Sequence, residues 1–216
     1  MNPLAADPLL EADALECVKG DRLLFSGLNC SVRAGDILRV SGGNGVGKTT
    51  LLRILCGLVP PETGDVLWCG DSVKKEREAL FANTVYLGHT AALSDRMTAL
   101  ENLLFTCLAA GDAASRQHCQ QALCRVGLAD EADLPVRVLS QGQRRRAALA
   151  RLHLASHRPL WILDEPFTAL DAGAVTDLVS VLHQHTRAGG MVVAVTHHEA
   201  PFVQAPKILN IEDWAC

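Results

Sequence analysis

The chain has 216 residues, 49% of them hydrophobic and 20% charged, with a formal net charge of −4. That balance excludes a disordered chain, suits one α/β domain with a substantial core, and is short for two. The mildly acidic charge gives a nucleic-acid partner no support.

No stretch approaches about 18 uninterrupted apolar residues, so no bilayer-spanning helix and no direct membrane insertion are expected. Met1–Ala14 carries Asp7, Glu11 and Asp13 with no basic residue ahead of its apolar part, unlike a secretory leader. Leu10–Val18 and Leu23–Val32 alternate apolar and polar residues, the pattern of antiparallel strands.

The octapeptide Gly42-Gly43-Asn44-Gly45-Val46-Gly47-Lys48-Thr49 comes next, between the strand-like Asp36–Val40 and the helix-like Thr50–Leu55. This is the G-x-x-x-x-G-K-[ST] pattern in the strand–loop–helix context it requires. The backbone N–H groups of such a loop form an anion cradle, reinforced by the positive end of the new helix. Lys48 is placed to reach the outer phosphates of a nucleoside triphosphate, and the Thr49 hydroxyl to ligate Mg²⁺.

Pro60–Gly64 reads as a turn, Asp65–Cys69 as an alternating strand and Thr84–Leu87 as a buried one. From Thr98 to about Ala129 the spacing is helical, and a further helix is expected from Gln141 through Ala155. Ser140 and Gly142 at the head of that helix make a second anion-binding device. Its arginines Arg145 and Arg146 are expected on a solvated basic face.

Leu160-Trp161-Ile162-Leu163 is wholly apolar, as a central parallel strand covered on both faces must be, and it ends on Asp164-Glu165. After a phosphate loop, Asp164 is placed to hold Mg²⁺, and Glu165 to polarise the attacking water as general base. Asp171–His185 reads as a helix, with His183 and His185 on a solvated face. Met191–Val195 reads as a parallel strand and Ile208–Ile211 as one more. The expected fold is therefore one α/β domain over 1–216. It has a parallel nucleotide-binding sheet, an N-terminal antiparallel β subdomain and a helical insert at about 90–158. The eight cysteines, at 17, 30, 56, 69, 107, 119, 124 and 216, form no C-x-x-C pair. They read as reduced, partly buried thiols rather than a zinc site.

These motifs and their order resemble the nucleotide-binding domain of an ABC-type ATPase: phosphate loop, Leu139-Ser140-Gln141-Gly142-Gln143 signature, Asp164-Glu165 strand end, Thr168-Ala169-Leu170-Asp171 loop, and Thr196-His197. The resemblance covers nearly the whole chain. It implies a P-loop NTPase that hydrolyses ATP with Mg²⁺ as a head-to-tail homodimer. Ser140–Gln143 and Asp171 of one copy would then close over the nucleotide held by Gly42–Thr50 of the other, and His197 would contact the γ-phosphate.

The chain departs from the family pattern at three places. Gln141 stands where glycine is commoner in the signature. His89 follows Tyr86-Leu87-Gly88 where many relatives have glutamine, so the Mg²⁺-water or γ-phosphate contact would fall to an imidazole. The usual adenine-stacking aromatic is missing from Val18–Arg22, which leaves base recognition to a Lys or Arg stem.

Tyr86–His89, Leu24–Leu28, Val66–Trp68 and Leu160–Thr168 together resemble the haem-exporter ATPase of bacterial cytochrome c maturation. That subgroup is similarly compact. The resemblance implies integral-membrane transporter subunits as partners, docked near His89–Phe105, and a peripheral place on the cytoplasmic face of the inner membrane; Leu93, Met97 and Phe105 there read equally as apolar contacts for those subunits or as core packing. An exporter of another cargo remains open from sequence alone. A non-transport ABC ATPase is disfavoured by the single cassette and the lack of a heptad stretch.

Overall fold

The computed structural model describes residues 9–197, 202 and 205–215. Met1–Pro8, Cys216 and His198, the last a residue to which the family pattern gives no role, lie outside the described residues.

In chain order the elements are β1 (Leu9–Lys19), β2 (Arg22–Arg33), β3 (Ile37–Ser41), α1 (Lys48–Leu55), β4 (Thr63–Trp68), β5 (Asp71–Ser72), α2 (Arg77–Asn83) and β6 (Thr84–Leu87). They continue with α3 (Ala99–Ala109), α4 (Arg116–Arg125), α5 (Gln141–Leu149), β7 (Leu160–Asp164), α6 (Ala172–Arg187), β8 (Met191–Val195) and β9 (Lys207–Asn210). Short 3₁₀ turns occupy Val136–Val138, Ala150–His153 and Ile211–Trp214.

Two sheets carry the fold: an antiparallel one in the order β2-β1-β4-β5 and a parallel one in the order β6-β7-β8-β3-β9. Every residue of β7 and β8 is buried, which is why both read as unbroken apolar runs. Alternate side chains of β7 serve different cores. Ile162 joins Phe25, Leu51 and Val193 between the antiparallel sheet and α1. Trp161 and Leu163 join Phe167, Leu182 and Val192 beneath α6. A third core, with Leu100, Leu103, Leu123 and Leu128, belongs to the helical insert. The insert is tied back by Arg158, whose Nε and Nη2 reach Asp112 Oδ1 at 2.9 and 2.7 Å while Nη1 reaches the Phe81 carbonyl at 2.9 Å. Both charges are buried, so pairing is what makes their burial tolerable.

Four expectations are corrected. The helical stretch from Thr98 to Ala129 is two helices, because α3 ends before Gly111 (φ 78°) and Ser115 caps a new one, accepting from His118 N at 3.2 Å. The helix from Gln141 tightens into a 3₁₀ turn after Leu149 and does not run as α-helix to Ala155. His185 is buried rather than solvated. It shares the inward stripe of α6 with Leu178, Val179, Leu182 and Thr186, and stacks on Trp161 with ring centroids 3.7 Å apart. Burial pushes its imidazole below the ordinary value. Arg145, the fourth, lies against the site itself. Of the thiols, Cys17, Cys56, Cys107 and Cys119 are buried, Cys30 half-buried, and Cys69 and Cys124 exposed, all seven free.

Candidate nucleotide site

The phosphate loop bridges the end of β3 and the start of α1 at the carboxyl edge of the parallel sheet, where open α/β sheets bind ligands. Its path depends on glycine at Gly42 (φ 136°), where a Cβ would come within 2.7 Å of Ile211 Cγ2. Lys48 is buried, and its Nζ donates to the carbonyls of Gly42 and Gly43 at 2.7 and 2.6 Å. The ammonium is thus parked over the cradle on neutral acceptors, which an anion can replace. Gly43 N already has an acceptor, Glu212 Oε1 at 2.8 Å, so this amide is engaged within the fold.

Across the loop, Thr49 Oγ1 donates to Asp164 Oδ2 at 2.9 Å, joining the start of α1 to the end of β7. This leaves lone pairs of a hydroxyl and a buried carboxylate facing one spot, a donor set that suits a hard cation. Among the described residues no cluster of three or more His, Cys, Asp or Glu forms a self-sufficient metal cage. Mg²⁺ takes one or two protein oxygens together with substrate phosphates.

Glu165 follows with φ 51°, a left-handed backbone that costs a non-glycine residue roughly 1–3 kcal/mol. Its N–H donates to Val195 O at 2.9 Å, and its Oε1 lies 3.4 Å from His197 Nε2. The Glu165 side chain is only 13% exposed, that of His197 59%. A cleft of about 600 Å³ gathers Asn44, Gly45, Gly47, Lys48, Thr49, Thr50, His89, Asp164, Glu165 and His197 into one space. Lys19 and Leu24 line its wall, and so the Val18–Arg22 segment offers a lysine stem beside the cradle.

Ser140–Gln143 and Asp171 are absent from that lining. Ser140 and Gln143 form a capping box, Ser140 Oγ accepting from Gln143 N at 3.2 Å and Gln143 Oε1 from Ser140 N at 2.9 Å. The Ser140 hydroxyl keeps its own hydrogen to donate. Asp171 caps α6, accepting from Ala174 N at 2.9 Å. The two turns are held together at Gly142, where a Cβ would stand 2.7 Å from the Ala169 carbonyl. At Gln141, by contrast, glycine's freedom is not needed, since α5 begins there with ordinary helical backbone.

Arg145 corrects the expectation of a solvated basic face. It is 5% exposed and spends its guanidinium on main-chain carbonyls of the site: Gly88 at 3.0 Å, Asp164 and Glu165 at 2.8 Å each, Pro166 at 3.3 Å. Desolvation pushes its affinity for the proton down, opposed by the charges of Asp164 and Glu165. Arg146 is half-buried, with longer contacts to the Val126 and Gly127 carbonyls at 3.4 and 3.5 Å. Near the sites expected for membrane subunits, Leu93 lines a groove of about 420 Å³ beside His89 and Leu103, while Phe105 is 65% exposed and Met97 half-buried.

The family described as ABC transporter matches residues 25–168, so the chain belongs to the ABC transporter family and is an ATP-binding, ATP-hydrolysing member of it. The cytochrome c biogenesis ATP-binding export protein CcmA of Aromatoleum aromaticum is 55% identical over 208 residues, covering 96% of this chain and 97% of its own. The protein of the same name from Escherichia coli K12 is 47% identical over 189 residues, covering 88% and 89%. Among solved structures, the dimeric post-hydrolysis state of the ATP-binding cassette MJ0796 with ADP and Pi superposes with a TM-score of 0.81 at 24% identity, covering 95% of each chain. A bacterial Atm1-family ABC exporter with ATP bound gives 0.83 at 23%, covering 96% of this chain and 38% of that one. At those identities the structural likeness speaks for the fold.

Proposed function

We propose that this chain is the ATPase of an inner-membrane exporter that serves cytochrome c maturation, with haem or a haem-loaded carrier as the cargo released at the outer face. The observation that carries this reading is the 55% identity, sustained over 96% of the chain, to an export protein named for cytochrome c biogenesis. No described helix is long and apolar enough to cross a membrane. The chain would therefore act from the cytoplasmic face, through integral-membrane partners seated in the groove by Leu93 with Phe105 at its rim.

The domain works as one unit over 1–216, with residues 90–158 as the arm that meets both the membrane partners and a second copy. In the catalytic cycle Lys48 leaves the Gly42 and Gly43 carbonyls for the outer phosphates, while amides of Asn44 to Thr50 line the cradle. Thr49 and Asp164 would hold Mg²⁺, with His89 beside them, and the ion would withdraw charge from the phosphate oxygens. Glu165 takes the proton from the attacking water as its oxygen bonds to the γ-phosphorus and the bond to ADP breaks. His197, beside Glu165, orients that water and the γ-phosphate. Ser140–Gln143 and Asp171 complete the site of the neighbouring copy. Their absence from their own chain's cleft, together with the hydrogen that Ser140 retains, supports this reading.

Deleting the gene in its host and staining for covalent haem on periplasmic c-type cytochromes tests the assignment. Loss of attachment, restored by the gene but not by a Glu165→Gln copy, is expected. Normal attachment in the deletion strain would exclude the haem role.

A further inference from the structure

Arg145 leaves α5 and enters the space between the ends of two parallel strands, 5% exposed. Three successive carbonyls of the β7 exit, those of Asp164, Glu165 and Pro166, converge on its Nη2 and Nε at 2.8, 2.8 and 3.3 Å. Its Nη1 takes the β6 exit, donating to Gly88 O at 3.0 Å and His89 O at 3.4 Å. A guanidinium carries five N–H groups in a fixed planar fork, and here each of its nitrogens is spent on main chain. The turn it grips contains Glu165 in a left-handed conformation that a side-chain-bearing residue does not adopt by preference. The same helix opens at Ser140–Gln143 and touches the Ala169 carbonyl through Gly142. One side chain therefore joins the helix that carries the signature, the loop that carries His89, and the turn that carries Glu165.

We propose that Arg145 is a positioning residue for hydrolysis: it holds the Glu165 carboxylate and the His89 loop in fixed relation to the head of α5. It acts through Glu165 and touches neither substrate nor metal. The inference rests on the reading of Glu165 as the general base.

The test is Arg145→Lys, which keeps the charge and length but not the planar fork. It is measured in the complex purified from host membranes, beside Glu165→Gln and the double variant. Turnover of ATP should fall about 10–100-fold, up to the cost of a misplaced reacting group and below that of a lost general base. KM for ATP should stay near wild type, and the variant should fold, with a thermal midpoint in MgATP lowered by the carbonyls that lysine leaves unpaired. In the Glu165→Gln background Arg145→Lys should cost nothing further, because its effect runs through the carboxylate already removed. A multiplicative loss in the double variant, wild-type turnover of Arg145→Lys, a parallel collapse of ATP affinity, or failure of the variant to fold would each overturn the proposal and leave Arg145 as scaffold. Wild-type turnover of Glu165→Gln would instead sink the general-base reading. A slow Glu165→Gln with a normal Arg145→Lys would sink only the present inference.

Discussion

Replacing Glu165 by glutamine exchanges one carboxylate oxygen for an amide group at constant volume, and the structure indicates how far the reaction should slow. A general base contributes about 10²–10⁴ in rate, equivalent to roughly 2.7–5.4 kcal/mol at 1.36 kcal/mol per decade. Among the described residues the cleft holds one other carboxylate, Asp164, and its Oδ2 is committed to Thr49 at 2.9 Å. That commitment places the expected loss in the upper half of the range, about 10³–10⁴-fold. Binding should survive, because a glutamine carbonyl can still accept from His197 N, the partner of Glu165 Oε2 at 3.4 Å, and Lys48 is untouched. Single-turnover hydrolysis of radiolabelled ATP, with equilibrium binding of MgATP in parallel, separates the two effects. Turnover within threefold of wild type, or ATP affinity falling in step with turnover, would refute the assignment of Glu165.

Lys48→Ala should weaken ATP binding by about 10–100-fold, the worth of a hydrogen bond to a charged group, moderated because two main-chain carbonyls, those of Gly42 and Gly43, compete for this ammonium. Isothermal titration of MgATP gives the answer, and unchanged affinity would count against the cradle. His185 and His153 are both pushed down by burial, so each is held neutral in the fold while the unfolded chain protonates near pH 6.5. Their contribution to stability is complete above that pH and is lost as pH falls through their lowered folded values. The urea midpoint should therefore drop between pH 7.5 and pH 5, and His185→Gln should show a smaller drop. An acid response unchanged by that substitution would place the sensitivity elsewhere.

Much of this was legible in the sequence because local chemistry fixes it. Gly42–Thr49 requires a strand before it and a helix after it, and the unbroken apolar runs at 160–163 and 191–195 are what two covered faces demand. The misreadings at Arg145 and His185 share one cause. Side-chain polarity points both outward, whereas helical period governs which way a residue faces. Arg145, Leu149 and Leu152 lie at i, i+4 and i+7, and Leu178, Leu182 and His185 at i, i+4 and i+7, each set on an inward stripe. The break between α3 and α4 had local signals in Gly111 and Ser115 that the longer apolar spacing masked. The contact of Glu212 with Gly43 joins residues far apart in the chain, and no spacing rule reaches it.

At the centre of the account stands a dimer in which the glycine loop of one copy faces the Ser140 turn of the other across ATP. Cysteines at Asn44 and Gln141 test this directly, in a Glu165→Gln background from which the exposed Cys69 and Cys124 have been removed. With MgATP, a short bifunctional thiol reagent should join the two copies, and without nucleotide it should not. Copies that never join under saturating MgATP, although each chain binds the nucleotide, would contradict it.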